Sequence, residues 1–199
     1  MIAIIDYGAG NLQSVKNALD FIRVKNIITD DAAEIEKADK LIFPGVGSFG
    51  DVMNALNNKR LIDVLLNALE KNKPYLGICL GMQVLFDGSD EDPATSGLGI
   101  FSGKVRKFKS KTLKIPQIGW NSVSFKANPL FSSIPDETYF YFVHSYYAEP
   151  KNKSIVLGKT DYCCDFVSAV SKNNIFGVQF HPERSGDAGL QMLKNFSEL

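Results

Sequence analysis

The sequence predicts an α/β protein with a largely parallel central sheet, flanking helices and additional antiparallel strands in its C-terminal half. In the first half, short apolar runs alternate with segments of helical periodicity, which is typical of parallel strands joined by crossover helices. After about residue 100, strand-like segments follow one another across turn-rich stretches, which indicates antiparallel pairing. With 199 residues, of which 45% are hydrophobic, we expect one domain over residues 1–199.

The predicted elements follow in chain order. Residues 2–5, 40–43 and 75–78 are apolar runs that predict buried strands, and residues 56–69 predict a helix. Helical spacing also appears at Val15, Ala18, Leu19 and Ile22, and again at Met82, Leu85 and Phe86. The second half has strand-like segments at residues 103–108, 139–143, 154–158, 166–170 and 175–180, and an amphipathic helix at residues 186–199.

Composition excludes several classes of function. Lys and Arg total 22 and so do Asp and Glu, and this balance argues against nucleic acid as a partner. No apolar stretch approaches the roughly 20 residues of a membrane span, so no membrane association is expected. The N-terminus lacks the features of a secretory signal, and three cysteines form no disulfide framework. We therefore expect a cytoplasmic protein.

Cys79 has the sequence setting of a nucleophile. It lies between Gly77 and Gly81, where an apolar strand changes to a helical pattern, as in a nucleophile elbow with sulfur in place of oxygen. A helix N-terminus at this point favours a thiolate and offers N–H groups to an oxyanion. The alternative is a small cysteine packed at a strand end. The flanking glycines favour the nucleophile.

A cysteine nucleophile usually works with a histidine, and the chain has two. His181 is followed two residues later by Glu183, and in an extended segment both side chains point to the same side. Pro182 should keep this segment out of a helix. His144 has no carboxylate nearer than Glu149 and is interpreted as a structural histidine bonded to backbone.

Other motifs are weaker evidence for a functional site. Gly8 and Gly10 lack the remaining residues of a dinucleotide or P-loop fingerprint and indicate a turn. The adjacent Cys163 and Cys164 do not have the usual spacing of metal ligands, and no metal or cofactor is predicted. The segment 44–47, with one proline and two glycines, can bring backbone N–H groups close to a substrate, although a plain turn is equally compatible.

Six segments together resemble the class I (triad) glutamine amidotransferases over nearly the whole chain. They are Ile4-Ile5-Asp6-Tyr7-Gly8-Ala9-Gly10-Asn11, Pro44-Gly45-Val46-Gly47-Ser48-Phe49, Gly77-Ile78-Cys79-Leu80-Gly81-Met82-Gln83, Ile118-Gly119-Trp120-Asn121, Phe142-Val143-His144-Ser145-Tyr146 and Gln179-Phe180-His181-Pro182-Glu183. The resemblance implies a flavodoxin-like fold with Cys79 as nucleophile, His181 as general acid and base, and Glu183 orienting it. It also implies an oxyanion hole made by the backbone N–H groups of Val46 and Leu80.

The same resemblance implies a substrate and a partner. L-Glutamine is expected to bind at Gly47, Gln83, Glu91, Ser145 and Tyr146. The ammonia is expected to enter a separate (β/α)₈-barrel cyclase subunit in a heterodimer, with Trp120, Asn121 and Arg184 at the interface. Family members commonly have lysine in place of Arg184 and often histidine in place of Gln117, so both residues bear on the partner contact.

Two alternatives stay open at this stage. The same glutaminase chemistry can serve a divergent synthase in surface-sugar amidation, or the chain can be a stand-alone cysteine hydrolase or an inactive binder on the same fold. The presence of Cys79, His181 and Glu183 argues against an inactive binder. The Gly-Trp-Asn segment argues against the hydrolases.

Overall fold

The computed structural model describes residues 1–199 and arranges them around one twelve-stranded mixed sheet. The strands are β1 (Ile2–Ile5), β2 (Asn26–Thr29), β3 (Lys40–Gly45), β4 (Tyr75–Cys79), β5 (Phe86–Ser89), β6 (Phe101–Lys107), β7 (Gln117–Phe125), β8 (Thr138–His144), β9 (Tyr146–Pro150), β10 (Val156–Asp161), β11 (Asp165–Lys172) and β12 (Ile175–Val178). The helices are α1 (Leu12–Phe21), α2 (Ala32–Lys37), α3 (Phe49–Asn58), α4 (Ile62–Glu70), α5 (Leu80–Gln83) and α6 (Gly186–Glu198). None of these helices has the length and apolar character needed to cross a membrane.

The predicted division into a parallel and an antiparallel half is confirmed. Strands β2, β1, β3, β4 and β12 lie side by side in that order, and all are parallel. Beyond β12 the sheet continues through β11, β10, β7 and β8 by antiparallel pairing. Strands β9 and β6 branch from β11, and β5 pairs with β6 in parallel. Strand β12, which comes late in the sequence, therefore lies in the middle of the sheet, next to β4.

Two predicted helices are wrong in extent. The helix expected over residues 56–69 is two helices, α3 and α4, because Arg60 adopts φ 58° and this left-handed backbone ends α3. The helix expected to run through Leu85 and Phe86 stops at Gln83, and Phe86 instead begins β5, paired with Phe101. Strands β2, β7 and β9 were not predicted.

Two apolar clusters cover the two faces of the sheet. Alternate residues of β1 and β3 belong to opposite clusters: Ile5 and Phe43 pack on the side of α2, α3 and α4, while Ile4 and Ile42 pack on the side of α1 and α6. Burial on both faces explains why β1 and β4 are fully buried, largely apolar runs.

Close packing fixes the turn between β4 and α5. A methyl group added to Gly81 would overlap the carbonyl oxygen of Phe43, and one added to Gly77 would overlap the carbonyl oxygen of Gly81. The turn therefore lies directly against β3, and only glycine fits at these two positions.

Candidate active site

Cys79 lies at the end of β4 in a strained backbone conformation. Its φ is 54° and its ψ is −108°, values that a residue with a side chain rarely adopts. Such strain persists only where the surroundings enforce it, and here the packed glycines on either side do so. The side chain is largely buried but reaches a surface cavity.

A buried amide donates to the Cys79 thiol. Nε2 of Gln179 lies 3.4 Å from Cys79 Sγ, and Oε1 of the same side chain accepts from Nε2 of Gln83 at 3.0 Å. This donor can stabilise negative charge on the sulfur. The sequence interpretation gave Gln179 no role, and its two-residue spacing from His181 was the available signal.

His181 and Glu183 form a buried hydrogen-bonded pair. Nδ1 of His181 lies 2.8 Å from Oε1 of Glu183, and the two side chains are 5% and 1% exposed. Burial alone would lower the pKa of His181, but the adjacent Cys79 and Glu183 outweigh it and raise the pKa to about 10. Nε2 of His181 has no hydrogen-bond partner within the protein. This nitrogen is therefore available for proton transfer.

Glu183 reaches His181 by a different route from the one predicted. Pro182–Arg184 is a 3₁₀ turn that follows His181, not an extended segment. Proline at the first position of a helical turn is compatible with its fixed φ. The expected contact between the two side chains nevertheless forms.

His144 lies in the same cavity with both ring nitrogens engaged. Nδ1 is 2.7 Å from the carbonyl oxygen of Tyr146, which agrees with the expected bond to backbone, and Nε2 is 3.0 Å from Oε1 of Gln117. Burial lowers the pKa of His144 to about 4. Gln117, which was expected to bear on a partner contact, is instead buried behind this ring.

A cavity of about 240 Å³ opens above Cys79. This volume lies below the range of about 300–1,000 Å³ that is typical for drug-sized ligands and fits a smaller one, such as an amino acid. Four of the five residues expected to bind substrate line it: Gly47, Gln83, Glu91 and Ser145. The Tyr146 side chain does not, and its carbonyl oxygen accepts from Gln83 and contacts His144.

The two residues expected to donate their N–H groups to an oxyanion are placed differently. Leu80 lines the cavity as the first residue of α5. The N–H of Val46 donates to the hydroxyl of Tyr7 at 2.9 Å, and the same hydroxyl donates to the carbonyl oxygen of Val46 at 3.1 Å. In this conformation the Val46 N–H is therefore committed to Tyr7.

The expected partner-facing residues have different environments. Trp120 is 55% exposed and packs edge-on against Tyr141, and Arg184 is also exposed. Asn121 uses its amide within the fold, since Nδ2 donates to the carbonyl oxygen of Asp161 at 2.7 Å. The structure adds two large exposed apolar side chains to this face of β7 and β8, Ile118 and Tyr139.

The site has the chemical parts of nucleophilic acyl transfer. A cysteine on a strained turn, a histidine held by a carboxylate and a cavity with several polar side chains in its wall occur together. No group of three or more His, Cys, Asp or Glu side chains is arranged to hold a metal ion.

Comparison with known proteins identifies the class. The family described as "Glutamine amidotransferase class-I" matches residues 3–198, and the chain belongs to this family. Among solved structures, a glutamine amidotransferase matches over 100% of both chains with TM-score 0.78 and 16% identity. PurLQS from Thermotoga maritima matches 98% of this chain and 96% of that one with TM-score 0.77 and 19% identity, so both share the fold.

More similar relatives carry one particular name. A protein of Chlorobaculum tepidum called imidazole glycerol phosphate synthase subunit HisH is 50% identical over 201 residues, which cover 100% of both chains. The HisH subunit of Pyrococcus furiosus is also 50% identical and covers 100% of this chain and 98% of its own.

Proposed function

We propose that this chain is the glutaminase subunit of an imidazole glycerol phosphate synthase. It hydrolyses L-glutamine to glutamate and ammonia, and passes the ammonia to a (β/α)₈-barrel cyclase that makes imidazole glycerol phosphate and AICAR in histidine biosynthesis. The observation that carries the proposal is that the Cys79 elbow and His181, which is bonded to the buried Glu183, line one small cavity. The two HisH relatives, each 50% identical to this chain over its full length, support the proposal.

The proposed reaction begins with the Cys79 thiolate. Its sulfur attacks the side-chain amide carbon of glutamine, and the carbonyl oxygen becomes a tetrahedral oxyanion. When the C–N bond breaks, the amide nitrogen takes the proton from Nε2 of His181 and leaves as ammonia. Water then attacks the γ-glutamyl thioester after losing a proton to His181. The C–S bond breaks, glutamate leaves, and the thiolate with its imidazolium partner is restored.

The cavity wall suits the polar ends of glutamine. Both amide hydrogens of Gln83 are directed to protein acceptors, so its Oε1 is left to accept from the substrate. One carboxylate oxygen of Glu91 accepts from the N–H of Phe49 at 2.8 Å, and the other can bind the α-ammonium group. We propose that these two side chains, with Gly47 and Ser145, hold the substrate.

The exposed face of β7 and β8 is the proposed docking surface for the cyclase. Ile118 and Trp120 are two residues apart on one strand, and Tyr139 lies on the same face of the other. Large exposed apolar side chains close together are typical of interaction sites. This surface connects to the active site, because the N–H of His181 donates to the carbonyl oxygen of Tyr141 at 2.9 Å.

We also propose a cytoplasmic location. All three cysteines have free thiols in the structure, including the adjacent Cys163 and Cys164. Free thiols are typical of a reducing compartment.

The proposal predicts that Cys79→Ala abolishes glutamate production. We expect a loss of at least about 10³-fold with the cyclase present, because the thioester cannot form. Cys163→Ser is the matched control and should retain the parental rate, since Cys163 does not line the cavity. An active Cys79→Ala protein, or no glutaminase activity in the parental complex, would contradict the proposal.

A further inference from the structure

We propose that Tyr7 is a positioning residue that holds the Val46 peptide in a resting orientation and so withholds its N–H from the oxyanion site. The inference rests on the proposed glutaminase function and assigns a residue to its control. Removing the Tyr7 hydroxyl is then expected to accelerate the isolated subunit.

The hydroxyl of Tyr7 binds both polar backbone groups of Val46. It accepts from the Val46 N–H at 2.9 Å and donates to the Val46 carbonyl oxygen at 3.1 Å. These groups belong to the two successive peptides around Val46. Rotating either peptide therefore breaks one of the two hydrogen bonds.

Tyr7 holds Val46 from a buried position that does not line the cavity above Cys79. Its ring is 3% exposed, lies edge-on to Phe43 at 5.2 Å, and belongs to the apolar cluster on the side of α2, α3 and α4. The cavity is lined by Cys79 and Val46 but not by Tyr7. While the Val46 N–H donates to Tyr7, it is therefore not offered to an oxyanion formed at Cys79.

The segment carrying Tyr7 is itself anchored. The N–H of Asp6 donates to the carbonyl oxygen of Thr29 at 2.9 Å, and Nζ of Lys59 donates to the carbonyl oxygen of Asp6 at 3.1 Å. These hydrogen bonds hold the backbone next to Tyr7 in place, and with it the hydroxyl that binds Val46.

The Val46 peptides have the freedom to rotate once released. The Val46 side chain is 40% exposed, and Gly47, with φ 103°, has no neighbour where a Cβ would lie, whereas Gly45 on the other side is paired with Cys79 and packs against Leu80 and Gly81. Glycines adopt new dihedral angles at low steric cost. On the Gly47 side, the two hydrogen bonds to Tyr7 therefore restrain a backbone that is otherwise free to turn.

Tyr7→Phe tests the inference because it removes one oxygen and keeps the ring. We expect kcat for glutamine in the isolated chain to rise roughly ten- to hundredfold, since each neutral hydrogen bond shifts an equilibrium by up to about tenfold. KM should change much less, because an oxyanion donor acts in the transition state. The rate with the cyclase bound should stay near the parental value.

Tyr162→Phe is the matched control. It removes a hydroxyl that donates to the carbonyl oxygen of Lys114 at 2.7 Å, outside the cavity, and should leave kcat unchanged. Tyr7→Phe with Cys79→Ala should be inactive. If Cys79 is required but a folded Tyr7→Phe protein has unchanged or lower kcat, the inference fails and the proposed function stands. If Cys79 is dispensable, the function itself fails.

Amide hydrogen exchange gives a readout that does not depend on activity. In ¹⁵N-labelled parental protein, we expect the Val46 N–H to exchange at least about tenfold more slowly than an unstructured amide, and to lose this protection in Tyr7→Phe. Unprotected exchange at Val46 in the parental protein would overturn the inference without any variant.

Discussion

At the scale of single residues, the site contains two histidines whose surroundings shift their pKa values in opposite directions. His181, bonded to Glu183 and next to Cys79, has its pKa raised to about 10. His144, buried against Gln117 and a backbone carbonyl, has its pKa lowered to about 4. At neutral pH one ring is therefore charged and the other neutral, within a single cavity.

Glu183→Gln should lower the pKa of His181, because the variant keeps a hydrogen-bonding group but removes the negative charge that favours the imidazolium. Protonation of His181 stabilises the folded state in full below about pH 6.5, and this stabilisation is lost as the pH rises towards about 10. In the variant the loss should occur at lower pH. The glutaminase rate should fall, but less than in His181→Ala.

Proton NMR of the ring signals can measure both values directly, because the chain contains only two histidines. His144 is the internal reference, and its pKa should remain low. An unchanged pKa of His181 together with full activity of Glu183→Gln would remove Glu183 from the catalytic group.

Much of this residue-scale arrangement was predictable from short motifs. The His181–Glu183 contact follows from a two-residue spacing, although the turn that makes it was mistaken for extended chain. The partners of the cysteine thiol and of His144 were not predictable. Gln179 is 100 positions from Cys79 in the chain, and Gln117 is 27 from His144, so only tertiary structure brings them together.

At the scale of elements, the important feature is the turn from β4 into α5, which packs against β3 without space for a side chain at Gly81. Gly81→Ala should therefore reduce the free energy of unfolding by about 3 kcal/mol, because an overpacked site must displace backbone. Urea unfolding followed by circular dichroism can measure the change.

Gly88→Ala in β5 is the matched control, since a methyl group there would meet only an ordinary contact with the carbonyl oxygen of Thr95. It should change the unfolding free energy by much less. Equal stability of the two variants would mean that the packing of the turn is not what holds the strained Cys79 in place.

Elements were predicted well where hydrophobic periodicity alone determines them, as in β1, β4 and α6. The prediction failed where a local backbone conformation overrides periodicity. Arg60 divides an otherwise continuous helical pattern by adopting positive φ, and no proline or glycine marks the break. Strand β7 was missed because only Gln117 and Val123 are buried in it, while the residues between them are half-buried or exposed, so no alternating apolar pattern marks the strand.

At the scale of the whole molecule, the exposed face of β7 and β8 is continuous with the active site. Trp120→Ala should weaken binding of the cyclase by about 2 kcal/mol, or roughly thirtyfold in Kd, because a large aromatic side chain at an interface often dominates affinity. Calorimetry with the purified cyclase can measure this.

Phe21→Ala is the matched control. Phe21 is 76% exposed at the end of α1, and it lies outside both the face of β7 and β8 and the cavity above Cys79. It should leave Kd unchanged. Equal weakening by both variants would place the cyclase elsewhere on the surface.

The position of β12 has a consequence for how the chain acquires its structure. On the ribosome, β4 emerges about a hundred residues before β12. The side of β4 that pairs with β12 therefore has no partner strand until β12 has been synthesised. Contacts of such wide sequence separation form late and slowly. The nascent chain therefore cannot consume glutamine before β12, and His181 after it, have been made, and until then the unpaired edge of β4 is vulnerable to misassociation.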